Sequence, residues 1–358
     1  MEQTKKVRIG FVGVGGMGQC AHLRSYVTIP ECEVTAIAEV RPKLRDAVAR
    51  KYGVPCTYAS AEEMLAKEEL DGIVAVQQFT QHGQVVIPLY KAGVPVLTEK
   101  PLAASVEVGE KMLAALKAGG SWHMVGYHKR SDPATMYAKN IIETFKTSGE
   151  IGKLKYVRIL MPSGDWVANG FVSLVKTEEK VPDLPCDIKA SWSEPYVGFV
   201  NYYIHQVNLM RHLLGEPYRV VFADKSGVLL VAESRSGITG TIEMTPYRTT
   251  VDWQESALVC FEKGYVKLEL PAPLAINRPG RVEILKDPGN GVTPQIVVPQ
   301  IPWIDAMRQQ AINFVRAIKH EIKPPCEAAE ALEDLKVALQ YQEYRAKNVQ
   351  GTAMAWEL

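Results

Sequence analysis

Short apolar runs alternate with amphipathic stretches along the N-terminal part of the chain. Runs that are rich in β-branched side chains and bounded by turn residues predict buried strands at residues 7–12, 33–38, 72–76, 94–97 and 122–126. Stretches with helical periodicity predict helices at residues 19–28, 42–52, 82–92 and 105–118. This β-α-β alternation with short loops predicts an α/β fold with an N-terminal doubly wound parallel (Rossmann) sheet and right-handed crossovers.

The pattern changes after residue 153. Short β-rich segments joined by turns are predicted at residues 155–161, 219–223, 228–232, 238–244, 256–262 and 265–270. Helices are predicted at residues 203–214, 304–319 and 328–347. We therefore expect a C-terminal α+β domain with an open, mainly antiparallel sheet. The predicted domains are residues 1–128 and residues 129–358.

Residues 161–200 form a longer and less regular stretch that is rich in proline, glycine and aromatic side chains. Irregular segments of this length in compact domains tend to be lids or binding loops. Aromatic faces suit the C–H faces of sugars, so Trp192 is a candidate substrate-binding residue. The alternative is that these rings fill a core or a subunit interface.

Composition narrows the class of protein. The 358 residues carry a net charge of +1, which gives no electrostatic case for binding nucleic acid or an anionic membrane. No apolar run approaches the length of a membrane-spanning helix, and the chain enters its first strand too early for a signal peptide. The six cysteines are scattered without metal-ligand spacing. We expect a cytoplasmic protein with reduced thiols and no metal site.

A glycine-rich turn follows the first predicted strand. Gly13, Gly15 and Gly18 have the spacing in which the first glycine permits a tight turn, the second lets a pyrophosphate approach, and the third lets helix and strand pack closely. The amides at the start of the next helix would hold phosphate. The candidate residues of this dinucleotide loop are Gly13, Gly15, Gly16, Met17 and Gly18.

An acidic residue, Glu39, ends the second strand at the distance expected from the glycine loop. A carboxylate there accepts hydrogen bonds from a ribose diol and repels a 2′-phosphate, which favours NAD over NADP. Arg41 lies close behind it and could hold such a phosphate. The other candidates for cofactor binding are Gln77, His82, Glu99 and Lys100, which follow later strands at the same sheet edge. His82 could instead be a helix cap.

The chain resembles the glucose–fructose oxidoreductase/inositol dehydrogenase/MocA (Gfo/Idh/MocA) family over essentially its whole length. The motifs that carry the resemblance are the glycine loop, Glu99-Lys100-Pro101, the segment from Val125 to Pro133, and a helix headed by His205 that ends at Gly215. The resemblance implies NAD(P)-linked oxidation or reduction of a sugar or polyol hydroxyl. It also implies a cis peptide before Pro101, with the Lys100 ammonium beside the nicotinamide, and a homo-oligomer that covers the open sheet.

The family signature in the second domain is an aspartate, a histidine and a second aspartate. The matching positions here are Asn201, His205 and Asn208, so the histidine is kept and both acids are amides. We expect His205 to act as general base, because its intrinsic pKa suits proton transfer near neutral pH, although it could be a structural helix histidine. Lys100 would stabilise developing alkoxide charge, and Asn201 would orient the sugar or the imidazole.

His128 and Arg130 follow the last Rossmann strand, where a substrate would lie, although Arg130 could instead be solvated or form an interdomain salt bridge. The run from Tyr127 to Pro133 and the Asn201/His205 pair resemble the branch that oxidises glycosides at C3. We expect an NAD-dependent sugar or glycoside dehydrogenase whose NAD can stay bound and be recycled by a keto sugar. The alternatives are an NAD-dependent glycosidase working by oxidation and elimination, and a non-enzymatic NAD-binding sugar sensor.

Overall fold

The computed structural model describes residues 5–182, 186–188 and 194–350. The chain divides into two compact units. The first unit contains the residues up to His128, the described part of residues 169–192, and residues 307–335. The second unit contains residues 129–168, 193–306 and 336–358, as far as they are described.

A six-stranded parallel sheet forms the centre of the first unit. Its strands are β1 (Val7–Val12), β2 (Cys32–Ala38), β3 (Cys56–Tyr58), β4 (Gly72–Ala75), β5 (Val96–Glu99) and β6 (His123–Gly126). They lie in the order β3-β2-β1-β4-β5-β6, and every pairing is parallel. This is the strand order of the doubly wound dinucleotide-binding fold. The predicted Rossmann sheet is confirmed.

Several helices of this sheet begin or end at residues that local capping rules favour. After a π-helical turn (Gly18–Leu23), the helices of this sheet are α1 (Arg24–Tyr26), α2 (Pro42–Tyr52), α3 (Ala61–Lys67), α4 (His82–Leu89) and α5 (Val106–Gly119). Ser105 accepts the Val108 N–H at the start of α5, and Gly53 ends α2 with a φ of 69°. The helix predicted at 19–28 differs, because its first turns are π-helical and the α-helical part is short.

An eight-stranded sheet forms the second unit. The chain contributes α6 (His128–Ser131), α7 (Pro133–Ser148), β7 (Leu154–Leu160), α8 (Glu194–Tyr202), α9 (Ile204–Leu214), β8 (Tyr218–Ala223), β9 (Leu229–Ser234), β10 (Thr239–Glu243), β11 (Glu255–Phe261), β12 (Gly264–Leu270), β13 (Arg281–Lys286) and β14 (Gln295–Val297). The strand order is β14-β13-β12-β11-β7-β10-β9-β8. Only the β7–β10 pairing among these strands is parallel, so the predicted open, mainly antiparallel sheet is confirmed.

Two later helices complete the described chain: α10 (Ala306–Ile318) and α11 (Ala328–Gln350). The apolar face of α10 carries Ala311, Phe314 and Val315, which are buried in the core of the first unit. Phe314 packs edge-on against Tyr26 and Trp122. The predicted second domain is the continuous stretch 129–358. The structure instead assigns the described part of residues 169–192 and residues 307–335 to the first unit, the latter because the buried face of α10 belongs to that core.

None of the helices in the described part of the chain is long and apolar enough to cross a membrane. The six cysteines all lie among the described residues and form no disulfide there, and Cys20, Cys32 and Cys326 are buried. The described residues contain no group of three or more His, Cys, Asp or Glu side chains placed to hold a metal ion.

Candidate active site

The glycine loop connects β1 to the π-helical turn. Gly13 has a φ of +85°, and a Cβ there would lie 2.7 Å from the Val76 carbonyl oxygen. A Cβ on Gly18 would lie 2.7 Å from the Gly13 carbonyl oxygen, so the turn and the loop can only pack this closely through glycine. Around Gly15 and Gly16, in contrast, the nearest atoms lie 3.5 and 3.9 Å from a Cβ. The loop therefore leaves room for close approach of a pyrophosphate at these two residues.

Glu39 lies directly beside this loop, after β2. Its buried carboxylate accepts the Val14 N–H at 3.0 Å and is bound by the Arg41 guanidinium through Nε at 2.8 Å and Nη2 at 3.0 Å. Burial alone would raise the pKa of Glu39, but the hydrogen bond from Arg41 and those from the backbone bring it below its usual 4.5. The carboxylate at the end of β2 therefore stays anionic and forms an ion pair with Arg41.

Glu99 ends β5, and its buried carboxylate is held by His22 of the π-helical turn, with Nε2 at 2.8 Å from Oε1. The Lys100 N–H donates to the other carboxylate oxygen at 3.3 Å. Burial raises the pKa of Glu99, but the contact with His22, the nearby Lys100 charge and the Lys100 N–H together lower it further than burial raises it, so the net pKa lies below 4.5. The Lys100–Pro101 peptide is cis. Lys100 itself is half-buried, next to a fixed negative charge.

Gln77 and His82 occupy the loop after β4 and the start of α4. The Gln77 side chain donates to the Val12 carbonyl at 3.1 Å and packs against Gly13. His82 is fully buried, and its Nδ1 lies 3.0 Å from the carbonyl oxygen of Leu102. Burial lowers the pKa of His82 below 6.5, so the ring is neutral at neutral pH. His82 therefore ties the start of α4 to the chain after Pro101.

In the second unit, Arg130 is buried and donates from Nε to the Asn208 side-chain oxygen at 2.6 Å. This contact links α6 to α9 within the second unit. His128, the first residue of α6, is also buried. The amide at position 208, where the family signature has an acid, is thus the hydrogen-bond partner of a buried arginine.

His205 lies half-buried in the first turn of α9, and Asn201 is exposed near the end of α8. The helix predicted at 203–214 begins at Ile204, with α8 immediately before it. The two residues are therefore carried by consecutive helices of the second unit. Trp192, the remaining candidate, lies outside the described residues.

A buried polar network includes Gln206, the residue that follows His205 in the sequence. The Glu255 carboxylate accepts the Gln206 side-chain amide at 2.7 Å and the Trp253 indole N–H at 3.1 Å. It also pairs with the Lys129 ammonium, which lies over the Trp253 ring. Neither this network nor the His22–Glu99 contact is predicted from the sequence, because no local signal links residues so distant along the chain.

The second unit also contains a cavity of about 510 Å³ next to this network. Trp253 and Glu255 line it, together with Asp165, Asp252 and Arg278. Carboxylates, a guanidinium and an indole around one cavity can hydrogen-bond and stack with a ligand that carries many hydroxyl groups.

Comparisons with known proteins also indicate a dinucleotide-binding domain at the N-terminal sheet. Residues 7–127 match the GFO_IDH_MocA model, an oxidoreductase family with an NAD-binding Rossmann fold. The scyllo-inositol 2-dehydrogenase (NAD(+)) of Bacillus subtilis (strain 168) is 26% identical over 66% of this chain and 67% of its own.

Two solved structures share the fold of the chain. A putative NADPH-dependent oxidoreductase from Desulfitobacterium hafniense aligns with a TM-score of 0.75 and 16% identity over 96% of each chain. Levoglucosan dehydrogenase, in complex with NADH and levoglucosan, aligns with a TM-score of 0.71 and 17% identity over 96% of this chain and 98% of its own. Residues 7–127 thus match the NAD-binding Rossmann domain of the Gfo/Idh/MocA oxidoreductase family, and the similarity to an inositol dehydrogenase extends over two thirds of the chain.

Proposed function

We propose that the chain transfers a hydride between a secondary hydroxyl of a sugar or glycoside, C3 favoured, and NAD. The observation that carries this proposal is the arrangement of the glycine loop, Glu39 and Glu99-Lys100 after β1, β2 and β5 of one parallel sheet. The carboxyl ends of those strands form the edge where such sheets bind dinucleotides. The inositol and levoglucosan dehydrogenases among the relatives support a polyhydroxylated substrate.

The Glu39–Arg41 pair supports NAD as the cofactor. An anionic carboxylate at the end of β2 accepts hydrogen bonds from a ribose diol and repels a 2′-phosphate. Arg41 already donates two side-chain hydrogen bonds to Glu39, so fewer of its donors remain for a phosphate, and that phosphate would lie close to the Glu39 carboxylate.

Lys100 and His205 are the proposed groups that act on the reacting hydroxyl. NAD supplies the hydride acceptor when it is bound. Lys100 donates a hydrogen bond to the oxygen and stabilises the negative charge that develops there. His205 takes the hydroxyl proton as general base. Because Asn201 is neutral, the imidazolium of His205 has less anionic support here than an aspartate would give it.

The first test is reduction of NAD, followed by absorbance, with a panel of free sugars and glucosides. Many turnovers with free NAD identify a dehydrogenase and its substrate. At most one equivalent of reduced nicotinamide per subunit, with turnover restored by a keto sugar, identifies a cofactor that stays bound and is recycled.

Two other outcomes favour the alternatives. Release of an aglycone with no accumulated keto product favours a glycosidase that works by oxidation and elimination. Binding of NAD without reaction of any sugar favours a sensor and contradicts the proposed activity.

A further inference from the structure

The irregular segment of the first unit lies against the dinucleotide-binding edge. We call residues 173–182 and 186–188 the strap. The helices that follow β1, β2 and β4 begin at the carboxyl edge of the sheet, and the strap is hydrogen-bonded close to the start of each. Each of these contacts lies within the first unit.

The first anchor is Gln19, in the turn that follows the glycine loop. Its buried side-chain amide donates to the Val175 carbonyl at 3.1 Å, and its oxygen accepts the Val175 N–H at 2.9 Å. Leu174 lies 3.9 Å from the Cβ position of Gly16. The strap therefore passes directly beside the part of the loop that has room for a pyrophosphate.

The second anchor is the Glu179 side chain of the strap, which contacts the start of α2. Its carboxylate accepts the Lys43 N–H at 3.1 Å and the Leu44 N–H at 2.9 Å. These amides follow Arg41 and Pro42, so the strap is fixed next to the Glu39–Arg41 pair. A carboxylate on the free amides of a helix N-terminus is a favourable contact.

The third anchor is Asp187 of the strap, which contacts the start of α4. Its carboxylate accepts the Gly83 N–H at 2.8 Å and the Gln84 side chain at 3.1 Å, and its own N–H donates to the Thr80 carbonyl at 2.6 Å. A Cβ on Gly83 would lie 2.8 Å from the Asp187 carboxylate, so glycine is required for this close contact.

We propose that the strap forms an outer wall of the dinucleotide site and holds NAD on the protein through turnover. Its anchors lie beside the glycine loop, the Glu39–Arg41 pair and the start of α4, and these are the elements that the proposed function assigns to NAD. The inference rests on that function. Release of the cofactor then requires anchors of the strap to detach, and this step limits the dissociation rate.

The test is the dissociation rate of NADH from the full chain. NADH is bound, excess NAD is added, and loss of nicotinamide fluorescence is followed in rapid mixing. Because hydrogen bonds to charged groups are stronger than neutral ones, we expect Glu179→Gln and Asp187→Asn each to raise the rate by about tenfold, and the double variant to raise it further. Glu178→Gln is the matched control, since Glu178 is the exposed neighbour on the same segment.

Two results overturn different statements. If the wild-type protein binds NADH and the anchor variants release it at the wild-type rate, the strap does not hold the cofactor, and the proposed function stands. If the wild-type protein binds no NADH, the proposed function itself fails, and the strap inference fails with it.

A second measurement needs no variant. Lys176 and Lys180 are exposed on the strap, so trypsin can cleave after them when the strap detaches. We expect saturating NADH to slow cleavage at both sites at least several-fold in the wild-type protein. Equal cleavage rates with and without NADH would overturn the proposal.

Discussion

The surroundings of Lys100 support its proposed role at the reacting hydroxyl. It follows the end of β5, its own N–H donates to the Glu99 carboxylate, and its peptide to Pro101 is cis. The Glu99 carboxylate beside Lys100 is held in place by His22, which lies far away in the sequence. The motif could be read from three adjacent residues, whereas the histidine that holds it could not.

We expect Lys100→Met to lower turnover by about 10²–10³-fold, because a donor to the developing alkoxide is lost. The affinity for NADH should stay near that of the wild type, since methionine keeps the length of the side chain. Steady-state kinetics and an NADH titration measure the two effects. Lys117→Met, on an exposed position of α5, is the control. Unchanged turnover would remove Lys100 from the catalytic assignment.

A second residue, His123, makes stability depend on pH. Burial and the nearby His82 lower the pKa of His123 from 6.5 to about 3, and its two ring nitrogens contact Tyr90 and Thr98 at 2.8 Å. The unfolded chain therefore binds a proton below pH 6.5 that the folded chain does not. The stabilisation is complete above that pH and is lost as the pH falls.

We expect the wild-type free energy of unfolding to fall, through this group alone, by about 1.4 kcal/mol per pH unit below pH 6.5. His123→Gln removes the titrating group, so its stability should fall less steeply with acidification. Urea unfolding at several pH values between about 5 and 7 compares the slopes. Equal slopes in the two proteins would show that His123 is not the cause.

At the scale of elements, local signals located most helix ends. Ser105 and Gly53 act as the cap and the terminator that their positions predict. The helix α7 was missed, although Asp132 caps it and Pro133 is its first residue. These two local signals are present in the sequence, but no helix was predicted there, because the stretch was assigned to the exit of the chain from the Rossmann sheet.

The boundary between α8 and α9 could not be predicted from periodicity. The Tyr203 N–H still donates to the Phe199 carbonyl, and the Tyr203 carbonyl accepts the Val207 N–H, so helical hydrogen bonds continue on both sides of Tyr203, the residue between the two helices. The aromatic rings of Phe199 and Tyr341 stack at 4.5 Å within the second unit. Packing of such rings, rather than propensity, sets the position of α8.

At the scale of the whole molecule, the second unit leaves apolar side chains exposed on both edge strands of its sheet: Val221 and Phe222 on β8, and Ile296 and Val297 on β14. Exposed edges and apolar surface favour pairing with another chain.

We expect the purified protein to be a homo-oligomer, and sedimentation velocity measures its mass. Phe222→Glu with Ile296→Glu should shift the distribution towards the monomer, because burying a charge opposes association. A wild-type protein that sediments as a monomer at micromolar concentration would contradict this expectation.

Features that depend on a few neighbouring residues could be predicted from the amino-acid sequence. The alternation of strands and helices has a fixed period, the turn at Gly13 needs a positive φ, and Glu39 stands at a fixed distance from the loop. Such signals lie within one element or between neighbouring ones, so a single sequence contains all of their information.

Tertiary structure alone decided which distant side chains meet. Glu99 is held by His22 and Arg130 by Asn208. The strap is held by Gln19 and, through its own carboxylates, by the first turns of α2 and α4. Many other polar residues could have formed each contact, and the choice depends on how the sheet orders its strands and where the later segments pack. A dinucleotide site at the sheet edge can therefore be predicted from the sequence, whereas the contacts of the strap with that edge are visible only in the folded chain.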